Sequence, residues 1–136
     1  MRSIGNRGNR ALIAGLLLIA TISAGCASLR PASGGQIEHV VVVWLKEPGN
    51  ETQRQQLIER SKTFTQIPGV LRVSAGTVLP SNRPMVDSSF DVAVVFTFAS
   101  EQALRDYDQH PIHKKAVQEL LAPLSAKVVI YDSHVQ

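Results

Sequence analysis

Uncharged, aperiodic and periodic stretches follow one another along the chain. Residues 11–24 (ALIAGLLLIATISA) carry no charge, 27–36 show no apolar period, and from Ile37 onward apolar residues recur at strand and helix spacings. Ile37–Lys46 (IEHVVVVWLK) is rich in β-branched residues and too short for an apolar helix, so it predicts a strand. Ile37, Val41, Val43 and Leu45 fall on one face and Val40, Val42 and Trp44 on the other, as expected of a strand covered on both sides. Pro48-Gly49-Asn50 breaks it. Asn50 is placed to cap a helix over Glu51–Gln66, whose Leu57, Ile58, Ser61 and Phe64 share one face. Ile67-Pro68-Gly69 ends that helix, and Val70–Leu79 predicts a second strand with an irregularity at Gly76.

After a polar loop over Pro80–Ser89, the segment Phe90–Phe98 alternates. It puts Phe90, Val92, Val94, Phe96 and Phe98 on a core face, and Asp91, Ala93, Val95 and Thr97 on the other. Ser100 is a cap for a helix to about Gln109. Pro111 interrupts it, a second piece carrying Ala116, Val117, Leu120 and Leu121 follows, and Pro123 closes that piece before a last strand over Lys127–Asp132. The order β-α-β-β-α-β describes an α+β, ferredoxin-like subunit: a four-stranded antiparallel sheet with helices on one face. The uncovered sheet face then carries Val, Trp and Tyr side chains. A second copy packed sheet to sheet covers it most simply, so a homodimer is expected.

The uncharged stretch belongs to a different plan. Arg2, Arg7 and Arg10 precede it, and it is shorter than the ~20 apolar residues of a spanning helix while fitting the core of an export signal. A permanent anchor helix is the weaker alternative. Ser23-Ala24-Gly25-Cys26 resembles the lipobox of bacterial prolipoproteins, with Ser23 where leucine is usual. The reading is a signal peptide over 1–25, a lipidated Cys26 leading a tether through 36, and one domain over 37–136. Ordinary cleavage after Ala24 is the rival, and it leaves an unpaired thiol in an oxidising compartment. The Ser/Gly/Pro-rich tether has a flexible reach of roughly 15–20 Å, which stands the domain off a membrane surface. The expected location is the cell envelope. Ala27 is not the Asp of an inner-membrane retention signal, so the outer membrane, facing the periplasm, is expected where there are two membranes.

Charge then excludes one class of partner. The formal net charge of +3 invites a nucleic-acid reading, but removing the three leader arginines leaves 11 basic residues against 11 acidic ones. With no basic stripe, counterion release has nothing to act through, and no nucleic-acid partner is expected.

The domain resembles the stress-responsive α/β-barrel (Dabb) family over about Ile37–Ser133. The resemblance rests on Glu38-His39-Val40-Val41-Val42-Val43-Trp44-Leu45-Lys46, Ile67-Pro68-Gly69-Val70, Phe90-Asp91-Val92-Ala93 and, most specifically, Tyr107-Asp108-Gln109-His110-Pro111-Ile112-His113. It implies a ferredoxin-like subunit paired into a dimeric α/β barrel. It does not imply one activity. A plant member cyclises a linear polyketide by an aldol-type reaction without metal or organic cofactor, and by match its site roles fall on His39, Tyr107 and His113.

Those residue types suit that chemistry. An imidazole such as His113 can remove a proton next to a carbonyl, while a phenol such as Tyr107 or a second imidazole such as His39 donates to the developing oxyanion. Each also has a structural reading: His110 donating to the last carbonyls of a helix end, Tyr107 as a core aromatic, His39 as a hydrogen-bonded core histidine. His110 and His113, three apart with no cysteine nearby, fall short of a zinc set, so neither metal nor cofactor is expected. Asp132 and His134 read as solvent-exposed. Two functions remain open. One is a lipid-tethered dimeric module that captures a small apolar or carbonyl ligand or serves a stress response. The other is a cofactor-free enzyme acting on a carbonyl substrate, an aldol-type cyclase or lyase.

Overall fold

The computed structural model describes residues 35–136. The signal peptide, Cys26 and nearly all of the tether lie outside the described residues. Strand β1 (Ile37–Leu45) is followed by helix α1 (Glu51–Lys62), a 3-10 turn (Thr63–Gln66), β2 (Val70–Thr77) and β3 (Val92–Phe98). Then come α2 (Glu101–Gln109), α3 (Pro111–Ala116), a π-helical segment (Val117–Leu121), a last helical turn (Ala122–Leu124) and β4 (Ser125–His134). The strands lie in the order β2-β3-β1-β4, and every neighbouring pair is antiparallel. This is the expected ferredoxin-like sheet.

Local chemistry explains the boundaries. The Asn50 side chain accepts from the Gln53 amide at 3.0 Å, satisfying a donor that α1 leaves free, while Arg60 and Lys62 in its last turn complement the helix dipole. Ser100 does the same for α2 through Ala103. Gly69, at φ +87°, closes the turn into β2 where a Cβ would come within 2.5 Å of the Ala103 Cβ. No residue with a side chain fits there without movement. Among the described residues, no helix is long and apolar enough to cross a membrane.

Alternation in β1 and β3 sorts the two faces of the sheet. Ile37, His39, Val41, Val43 and Leu45 face the helices with Val92, Val94, Phe96 and Phe98, and meet Leu57, Ile58, Phe64, Tyr107 and Ala116 in the core. On the opposite face Val40, Val42, Trp44 and Val95 are half-buried, and Tyr131, paired with Val40, is exposed.

The structure changes several local expectations: β2 ends at Thr77, and its irregularity falls between Val70 and Arg72 rather than at Gly76. Phe90 and Asp91 do not continue β3. Phe90 packs edge-on against Trp44, with ring centroids 6.4 Å apart, while Asp91 turns inward. The cause is the Asp91 carboxylate, which gathers the Leu45 and Gly49 amides and the Arg54 guanidinium and so bends the chain before Val92. Pro123 does not end the helix but sits inside its last turn. The preceding π segment, whose Ala122 amide donates to the Val117 carbonyl, resets the register ahead of a residue that has no N–H to offer. Finally, β4 runs on to His134, with a bulge opposite Trp44 and Leu45.

Candidate functional site

The Asn50-capped α1 and the Pro111-started α3 lie across the helix-facing side of β1 and β3 and enclose a cavity of about 50 Å³. Its floor is Val41, Val43, Val92, Val94 and Phe96. Leu57 and Phe64 form one wall, and Ala116, Val117, Leu120 and Leu121 the other, so the π segment supplies part of the wall directly. Three polar residues reach this apolar lining: Arg60, Ser61 and His113. The Ser61 hydroxyl is already committed, donating to the Leu57 carbonyl at 2.8 Å.

His113 is placed by the Tyr107–His113 block. Pro111 starts α3 because its missing N–H costs nothing at a first helical turn. The residue before it, His110, accepts from the Ile112 amide at 3.3 Å and so caps α3. This corrects the expected role: His110 is structural, but as an acceptor at a helix start rather than a donor at a helix end. One turn on, His113 Nδ1 lies 3.3 Å from the Asp108 carbonyl. A carbonyl can only accept, so that bond puts the proton on Nδ1 and leaves Nε2 with its lone pair. Burial pushes the His113 imidazole below its ordinary value. The Asp108 carbonyl and carboxylate oppose the shift, and His39 and His110 add to it. The ring is therefore neutral at neutral pH and able to accept a proton.

Tyr107 and His39 stand behind it. The Tyr107 ring lies 4.2 Å from His113 between centroids, tilted by 34°, and is packed among Phe64, Phe96 and Phe98. At 2% exposure it is a core aromatic, and burial, with Asp108 nearby, raises its phenol well above the ordinary range, so the hydroxyl stays protonated. His39 contacts Tyr107 at 6.1 Å between centroids, and its Nδ1 donates to Asp132 at 2.6 Å. The three rings thus lie in one contiguous row, His39–Tyr107–His113, with His39 meeting Tyr107 edge-on, and of the three His113 is the one that lines the cavity.

Two participants lay beyond the sequence reading. Asp132 is exposed as expected, at 52% of its side chain, yet it holds the buried His39 across the β1–β4 pair. Opposing the two strands would have revealed it, because His39 and Asp132 are direct register partners. Arg60 stands three residues after Leu57 and four before Phe64, which at 3.6 residues per turn places it beside the apolar stripe of α1. Among the described residues, no cluster of three or more His, Cys, Asp or Glu is placed to hold a metal ion.

The family model described as the stress responsive A/B barrel domain (Dabb) matches residues 37–135. Among solved structures, a Dabb family protein with a ferredoxin-like fold from Mesorhizobium loti is 25% identical, with a TM-score of 0.61 over 75% of this chain and 98% of its own. A dimeric ferredoxin-like protein of unknown function from Thermobifida fusca is 23% identical, with a TM-score of 0.61 over 76% of this chain and 93% of its own. The hydroxynitrile lyase from Passiflora edulis is 20% identical, with a TM-score of 0.65 over 76% of this chain and 95% of its own. No curated protein matches the sequence.

Proposed function

We propose, since the chain belongs to the stress responsive A/B barrel domain (Dabb) family, that it is a small-molecule-binding module, a homodimer tethered to a membrane by a lipid on Cys26. The observation that carries the binding reading is the cavity itself: about 50 Å³ of apolar space between sheet and helices, with a neutral imidazole in its wall. A water needs roughly 10–15 Å³ of such space, so the cavity suits about three to five small groups and not a large cofactor. Methyl-resolved NMR with pentanal as the probe tests it. Shifts centred on Ala116 and His113, abolished by the cavity-filling Ala116→Phe, are expected; shifts elsewhere, or shifts that survive Ala116→Phe, overturn it.

Two supports stand behind the assembly. The uncovered sheet face presents Val40, Val42, Val95 and Tyr131 together, and the Thermobifida fusca protein of the same fold is described as dimeric. Light scattering on the parent should give a dimer, and Val42→Glu, which puts a charge in the centre of that face, a folded monomer. The tether rests on the lipobox-like Ser23-Ala24-Gly25-Cys26 and on Cys26 being the one cysteine of the chain. Mass spectrometry of the mature N-terminus should show an acylated Cys26, and an unmodified thiol counts against it.

A second reading, cofactor-free catalysis on a carbonyl compound, is favoured by the state of His113. Its neutral Nε2 takes a proton from the carbon next to a carbonyl, the electron pair moves into the enolate, and the imidazolium later returns the proton. In this reading His113 is the base, while Tyr107 packs on its ring and His39 in turn backs Tyr107. Deuterium exchange into the probe's α-carbon, lost in His113→Gln, is the measurement.

A further inference from the structure

We infer that the cavity takes a short-chain carboxylate, its hydrocarbon tail under the sheet and its anionic group at Arg60. This rests on the cavity being a ligand site, and it adds the ligand's charge.

Most of the other cations near the sheet and helices are already engaged. Arg54 is bound by Asp91 at 2.8 Å, Arg72 by Glu38, Arg105 by Glu101 and Lys115 by Glu119. Lys46 donates to the Pro123 carbonyl at 2.7 Å, and Lys127 lies 4.3 Å from the centroid of the Trp44 ring. Arg60, like Lys62, Arg83 and Lys114, has no ion pair among the described residues, and of these four Arg60 is the one that lines the cavity. Among the described residues no acidic side chain lines the cavity to compete with a ligand anion. A guanidinium is the group best shaped to meet a carboxylate with two parallel hydrogen bonds.

The rest of the lining sets the tail. Val41, Val43, Val94, Leu57 and Leu121 offer no hydrogen bond, and Ser61 has spent its hydroxyl on Leu57. Buried polar atoms on the tail would therefore go unpaired. The volume that holds about three to five water-sized groups fits the alkyl part of butanoate to hexanoate, with the carboxylate left at the exposed Arg60.

The test compares pentanoate with 1-pentanol, which has the same tail length and no charge, by methyl-resolved NMR on the full chain in lipid nanodiscs. The parent should bind pentanoate about fivefold more tightly than the alcohol, the fold-change a partly exposed ion pair supplies. Arg60→Gln should bring the two to parity with the alcohol unchanged, and Arg60→Lys should restore part of the preference. Equal binding of acid and alcohol by the parent overturns the carboxylate inference and leaves the cavity standing as a ligand site. A preference that survives Arg60→Gln overturns the assignment to Arg60. Binding of neither probe at the Ala116 and His113 methyl and ring signals overturns the cavity reading, and the inference with it.

Discussion

At one end of β1 a buried carboxylate is bound on every side, whereas at the other end a buried imidazole is bound through one nitrogen to a carboxylate that water also reaches. Asp91, at 3% exposure, accepts from the Leu45 amide at 2.8 Å, the Gly49 amide at 2.7 Å and the Arg54 Nε and Nη2 at 3.1 and 2.8 Å. His39 donates to Asp132, and its remaining neighbours are the rings of Phe96, Phe98 and Tyr107. The first arrangement has one low-energy state and fixes the β1–α1 loop against β3. The second leaves a ring whose polar partner is half in water, set against the row of rings that ends on the cavity. The saturated Asp91 fixes its loop, whereas the sparsely partnered His39 lies against Tyr107, the ring that packs on His113.

The sharpest way to break that contrast is Asp91→Ala. It strips the Leu45 amide of its acceptor and leaves the Arg54 guanidinium without its buried partner, so a loss of about 3–5 kcal/mol is expected in urea denaturation. Burial alone would raise the Asp91 carboxyl, but the two amides and Arg54 more than offset it and hold it below the ordinary 3.8. A carboxyl depressed in the folded state contributes stability above its unfolded value, and that contribution disappears as pH falls through the folded value. Acid unfolding of the parent should therefore steepen below about pH 4. A loss under about 1 kcal/mol for Asp91→Ala would show the network to be ornamental.

A smaller effect separates the regions by pH. His113 lies below its ordinary 6.5 through burial, so the unfolded chain takes up a proton first as pH falls. Stability should be unaffected above about 6.5, decline as pH drops from there to the folded value, and level off below it. His113→Gln should remove that decline while leaving the acid limb from Asp91 in place. An unchanged slope below about pH 6.5 would mean that the ring is not held neutral by burial.

How far the sequence announced all this differs between the two ends. Element order, the Asn50 and Ser100 caps and the face assignments of Val41, Val43, Val92, Val94 and Phe96 follow from periodicity and capping chemistry, and the structure repeats them. The Tyr107–His113 block placed its own members together, because a helix, a proline and a second helix leave little choice of geometry. Asp91 was hidden by a good pattern: alternation extended through Phe90 and Asp91, and only the convergence of Leu45, Gly49 and Arg54 from distant sequence explains why the strand stops short. The π segment was equally silent, since no local rule spells out how a helix absorbs Pro123. Asp132 looked like a terminal surface residue because its partner, His39, is 93 positions away and meets it only through strand pairing.

The smallest expected effect, and the finest test of the contrast, is Asp132→Asn set beside Asp91→Asn. Both exchanges keep the shape and an acceptor oxygen while removing the charge. At Asp91 the neutral amide places an NH₂ where a buried oxygen now faces N–H donors, so a steric and electrostatic mismatch of several kcal/mol should follow. At Asp132 the carboxylate is 52% exposed, and its attraction for His39 is screened by water and salt. After Asp132→Asn the side-chain carbonyl can still accept from His39 Nδ1, and the amide nitrogen can turn to solvent. A cost below about 1 kcal/mol is expected there, shrinking further when the urea titration is repeated in 0.5 M salt. Should the two exchanges cost the same, the ends of β1 would be energetically equivalent, and the sparse partnering of His39 would distinguish nothing.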